Sequence, residues 1–179
     1  MTTVLDHAFY MRMALRQAHL AAEDGEVPAG CIILDTVEDG RPLGQRLLGQ
    51  AHNQVEQLRD PTAHAEILAI TQAAAARGDW RLTDTVLYVT KEPCAMCAGA
   101  IVLARIPVVV FGAPDPRRGG AVSVFNILNH PRLNHRVEVV GGVLEEDCRS
   151  VLQGFFRARR DAPPSTPDSP GPGSRVRGA

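Results

Sequence analysis

The sequence predicts an α/β protein built on five strands in one domain, and three observations carry that prediction. Short runs rich in Val, Ile, Leu and Phe alternate with stretches whose apolar residues recur at helical spacing. The last two strand-like runs are separated by a further helical pattern, which allows them to run parallel through a crossover. A length of 179 residues suits one domain with a sizeable core, and 45% hydrophobic with 22% charged residues is the balance of a soluble globular protein.

Residues 6–23 form the first predicted helix, with Met11, Ala14, Leu15, Ala18, Ala21 and Ala22 on one stripe and Asp24-Gly25 as its stop. Residues 29–34 read as a buried strand in which Cys31 is a small core residue. The polar, Gly-containing stretch 35–46 is a hairpin connection to a second strand over 47–51. Asn53 follows in a loop, where a turn role is the plain reading of its type. Asp60, Pro61 and Thr62 look like a helix start, with Asp60 or Thr62 as cap and Pro61 in the first turn. That helix runs to Ala76, and Gly78 stops it. Residues 85–90 are a strand, 93–105 a helix opened by Pro93-Cys94, and 107–111 the fourth strand. A Gly/Pro/Arg loop leads to a short helix at 121–129, a fifth strand at 137–140 and a last helix at 145–160. Val151, Leu152, Phe155 and Phe156 stripe that helix, and Cys148 packs on it. Pro, Ser and Gly dominate from Asp161 onward, so 1–160 reads as the domain and 161–179 as a disordered tail.

Two short stretches carry the chemistry. One is Pro61-Thr62-Ala63-His64-Ala65-Glu66; the other is Glu92-Pro93-Cys94-Ala95-Met96-Cys97. His64, Cys94 and Cys97 offer one imidazole and two thiolates, a donor set that suits Zn2+. Three protein ligands leave a fourth tetrahedral position for water, the pattern of a catalytic site. Zinc brings the pKa of water from ~16 to about 7, and a carboxylate beside it, Glu66, can move the proton to a leaving nitrogen. The alternative is a closed structural site with Cys31 or Cys148 as fourth ligand, which leaves Glu66 without a role. Residues two apart on a helix point about 200° apart, so His64 and Glu66 must flank a site lying off the helix end. A site between two helix starts also favours thiolates.

Four cysteines, two of them in the proposed site, make no disulfide framework, so a reducing cytoplasm is expected. The N-terminus does not read as a signal peptide, and no apolar run approaches membrane-spanning length. No organic cofactor is expected. The net charge of −1 hides an asymmetry: residues 1–100 hold 8 basic and 13 acidic side chains, residues 101–160 hold 9 and 5. Either the C-terminal half presents a basic face or its arginines are scattered.

The paired motifs match the H-x-E…P-C-x-x-C signature of zinc deaminases. DPTAHAEI (60–67), EPCAMCAGAI (92–101), FGA (111–113), NHRVEV (134–139) and FFRARR (155–160) further resemble the bacterial tRNA-specific adenosine deaminases, within the cytidine/deoxycytidylate deaminase superfamily. The resemblance covers about residues 6–160. It implies a cytidine-deaminase-like three-layer α/β/α fold with a five-stranded mixed sheet, and a homodimer in which both subunits meet RNA. The reaction it implies is conversion of the wobble adenosine of an arginine tRNA anticodon to inosine, with one zinc per chain.

Carried over residue by residue, His64, Cys94 and Cys97 hold the zinc and Glu66 shuttles protons. Asn53 and the Ala65 backbone hold the base, and Asn134 lies against the bound anticodon stem-loop. Phe155 or Phe156 meets the loop together with Arg157, Arg159 and Arg160, while core packing remains the alternative for one of the two rings. Lys91, Val108 and Pro114 depart from the family pattern near the expected RNA-facing side. Two other readings remain open: a deaminase of a free base or nucleotide such as guanine or cytosine, and a non-catalytic zinc-bearing RNA-binding subunit.

Overall fold

A computed structural model describes residues 6–38 and 41–161. The elements are α1 (His7–Glu23), β1 (Gly30–Glu38), β2 (Arg41–His52), α2 (Val55–Leu58), α3 (Ala65–Arg77), β3 (Thr85–Lys91), α4 (Ala95–Leu103), β4 (Val108–Ala113), β5 (Glu138–Val140) and α5 (Glu145–Asp161). The strands form one mixed sheet in the order β2-β1-β3-β4-β5. β1 pairs antiparallel with β2 and β3, whereas β3–β4 and β4–β5 are parallel; the expected direction of β4 and β5 holds, although no helix connects them.

Strand alternation sorts the core into two faces. Cys31, Ile33, Leu87, Val89, Val109 and Phe111 join one apolar cluster with Ala65, Ala69 and Ala73 of α3 and Ala98 and Ile101 of α4. Their neighbours Ile32, Leu34, Val86, Tyr88 and Val110 join a second with Tyr10, Met11, Ala14 and Leu15 of α1 and Cys148 of α5. A period of two along β1, β3 and β4 thus covers both faces with helices. The result is the three-layer arrangement. Asp6 starts α1 by accepting the Phe9 amide at 2.9 Å. α1 lies so close to β1 that a Cβ at Gly30 would stand 2.1 Å from the Ala14 carbonyl oxygen. Only glycine fits there.

Four expectations change. The 35–46 connection is not simply loop: β1 and β2 pair from Gly30↔His52 to Glu38↔Arg41, with register shifts along the way. Asp60 does not cap a helix; its Oδ1 accepts the amide and hydroxyl of Thr62 in a local turn. α3 starts at Ala65, and a one-turn helix, α2, precedes it. Residues 121–129 are turns, not a helix. There the Glu92 carboxylate captures the amides of Val122 and Ser123, and Val124 and Phe125 turn back onto the Gly119 carbonyl. A side-chain acceptor has replaced the helical one.

The tail expectation lies outside the described residues except at Asp161, which closes α5. Among the described residues, no helix is long and apolar enough to cross a membrane.

Candidate active site

The two motifs meet at two helix starts. His64 is the N-cap of α3 and Cys94 the N-cap of α4, both with extended backbone, and Cys97 lies in the first turn of α4. The extended backbone of His64 turns its ring off the helix end, while Glu66 stays in the helix. That resolves the 200° difficulty. His64 Nδ1 stands 3.7 Å from Cys94 Sγ and 3.4 Å from Cys97 Sγ. Zinc ligands sit ~2.0–2.3 Å from the ion, and tetrahedral geometry then spaces them about 3.4–3.8 Å apart, so the cluster fits a common metal. Neither Cys31 nor Cys148 belongs to the described metal-capable group. Cys31 is buried in the sheet core, and Cys148 packs where a Cβ on Gly112 would collide with its sulfur.

Electrostatics divide the two thiols. Hydrogen bonding from Cys97, opposed by burial and aided by His64, brings Cys94 down to about 3. Donation to Cys94, together with burial, pushes Cys97 up. A hydrogen bond to Cys94 likewise raises His64. Burial pushes the Glu66 carboxyl up, against its own backbone amide and His64, and the side chain is only 5% exposed.

His64, Glu66 and Cys94 open into a cavity of about 200 Å³ shared with Glu26, Asn53 and Arg159. Asn53 is buried, and its Oδ1 accepts the Ala65 amide at 3.3 Å. Two residues marked for the base are therefore bonded to each other. The cavity wall includes acids that sequence reasoning missed. Glu26, 1% exposed, accepts the amides of Glu56 and Gln57 at 2.8 and 2.9 Å, and so anchors α2 beside Asn53. Glu92 accepts the Asp115, Val122 and Ser123 amides and the Ser123 hydroxyl. Burial alone would raise its pKa, yet these bonds outweigh burial and hold it low. Lys91, also in the wall, donates to Asp115 at 2.5 Å. No periodicity marks such residues, because their partners are backbone amides brought close only by folding.

The C-terminal residues divide between two places. Phe156, Arg157 and Arg160 line a second, more open cavity with Arg117, Arg149 and Leu152. Arg159 instead lies over the ring of half-buried Phe155 and reaches the first cavity. Asn134 is exposed and accepts from Arg105 at 2.6 Å, outside the lining of either cavity.

A mixed sheet with a His-Cys-Cys cluster and a buried glutamate at two helix starts is the arrangement of a deaminase, and residues 5–160 match the MafB19-like deaminase family model. A tRNA-specific adenosine deaminase of Streptococcus pyogenes serotype M18 is 45% identical over 156 residues, 87% of this chain and 93% of that protein. One from Aquifex aeolicus is 48% identical over 153 residues, 86% and 95% of the two chains. A solved structure from work on A-to-I editing by tRNA:A34 deaminases at the wobble position superposes with a TM-score of 0.72 at 39% identity, covering 80% of this chain and 99% of that one. The chain belongs to the tRNA-specific adenosine deaminase family.

Proposed function

We propose that this protein hydrolyses the 6-amino group of the wobble adenosine in a tRNA anticodon, leaving inosine and ammonia. An arginine tRNA is the proposed substrate, and residues 1–160 the catalytic domain. The observation that carries the chemistry is the buried Glu66 beside three convergent ligand atoms that lie within 4.8 Å of one another. His64, Cys94 and Cys97 would hold one zinc per chain, which supplies Lewis acidity to make a water nucleophile at neutral pH. Glu66 accepts a proton from the attacking water and returns it to the departing nitrogen. Asn53, whose Oδ1 accepts the Ala65 amide, offers its Nδ2 donor to the base, and the Ala65 backbone helps hold the base by fixing Asn53.

Recognition of RNA rests on the second cavity. A base in a structured loop must be splayed out to reach the site, at a cost of a few kcal/mol. Arg157 and Arg160 neutralise phosphates, and Phe156, 42% exposed, stacks on an unpaired base for ~1–3 kcal/mol. Asn134 lies against the bound loop, on the same side chain network as Arg105. A homodimer is supported by the exposed Leu103, Val122, Val124, Phe125 and Leu133 on α4 and the loops tied to its two ends. The compartment that suits a tRNA substrate and free thiols is the cytoplasm.

The test is to incubate the purified protein with wobble-adenosine stem-loops and, separately, with free guanine and cytosine. Inosine formed in the RNA is the expected product. Turnover of the free bases with none of the RNA would favour a small-substrate deaminase.

A further inference from the structure

Arg159 does not keep company with its neighbours. Arg157 and Arg160 line the open cavity with Phe156, whereas Arg159 lines the cavity that holds His64, Asn53 and Glu66. Its Nη2 donates to the Gly25 carbonyl at 2.9 Å, across 134 positions of sequence, and its guanidinium carbon lies 4.8 Å from the Phe155 ring centroid. Gly25 has a φ of 76°, in the left-handed region, and opens the turn that carries Glu26. Glu26 in turn accepts the Glu56 and Gln57 amides of α2, the helix that follows Asn53. A planar cation can stack on an aromatic face and donate from its edge at the same time, which an ammonium cannot.

We propose that Arg159 is a positioning residue of the nucleoside pocket: stacked on Phe155, it pins the turn at 25–27 and, through Glu26, the α2 wall beside Asn53. It does not act as a phosphate contact. This rests on the reading that the pocket receives the target nucleoside. One consequence is that the last turn of α5 joins the recognition surface to the pocket, since Arg159 and the groove residue Arg160 share that turn.

The test compares full-length Arg159→Ala, Arg159→Lys and Arg157→Ala by two measurements. The first is amide hydrogen exchange at residues 55–57 in the RNA-free protein. Arg159→Ala should speed exchange of the Glu56 and Gln57 amides at least tenfold. Arg159→Lys, which can donate but not stack, should fall between it and wild type, and Arg157→Ala should leave exchange unchanged. The second is stem-loop deamination at several salt concentrations. Arg159→Ala should lower kcat with the salt slope of binding unchanged, whereas Arg157→Ala should reduce that slope by about 0.7–0.9. Unchanged exchange in Arg159→Ala overturns the proposal whatever the RNA result. A slope loss equal to that of Arg157→Ala overturns it as well. Because exchange is read without RNA, failure of the protein to edit RNA would be seen separately.

Discussion

The pocket at the two helix starts and the groove at the end of α5 are built by different rules. In the pocket nearly every polar group has a fixed partner: Asn53 holds Ala65, Glu26 holds α2, and Glu92 holds the 115–123 loop. In the groove Arg157 and Arg160 are exposed, and Phe156 is 42% exposed. Preorganisation suits a site that stabilises charge during reaction. Open, solvated cations suit a surface that releases counterions when it meets a polyanion. Chemistry and recognition are therefore expected to fail separately.

The largest effect should come from the ligands. Cys94→Ala or Cys97→Ala should remove both metal and activity, checked by metal analysis of the purified variant. Cys31→Ala and Cys148→Ala should retain full zinc; equal zinc loss in either would turn the open site into a closed one. Next comes the loop latch. Glu92→Ala strands four donors, each worth roughly 1.5–3 kcal/mol against a charged acceptor, so denaturant unfolding should show a loss of at least about 2 kcal/mol. The folded Glu92 carboxyl is held below its unfolded value. Its stabilisation is thus fully present above the unfolded pKa of about 4.3 and disappears as pH falls through the lower folded pKa. Glu92→Gln should flatten the acid limb of stability over that window.

The groove should show the smallest effects. Arg157→Ala and Arg160→Ala should each weaken stem-loop binding several-fold and flatten its salt dependence, leaving zinc and fold intact. A change in zinc content in either would show that pocket and groove are not separable.

The same division explains what the sequence made legible. Metal chemistry dictates residue type, so His64, Cys94 and Cys97 stood out in the sequence as a candidate ligand set, and the fold brings the three together. Their geometry could not be read there, because the helix start moved from Asp60 to Ala65 once Asp60 bonded Thr62 locally. Strands β3 and β4 were marked by apolar runs, but the turns at 121–129 were hidden by a Glu92 carboxylate distant in sequence. The split of Arg159 from Arg157 and Arg160 was equally invisible, since it depends on Gly25 at the far end of α1.

The most direct test of the central claim is single-turnover deamination of a wobble-adenosine stem-loop by Glu66→Ala, with zinc and RNA affinity measured on the same sample. General acid–base catalysis is worth ~10²–10⁴ in rate. The expected result is one zinc per chain, wild-type RNA affinity and a rate lower by that factor. A near wild-type rate would remove Glu66 from the mechanism, and loss of zinc would make it a ligand instead of the proton carrier.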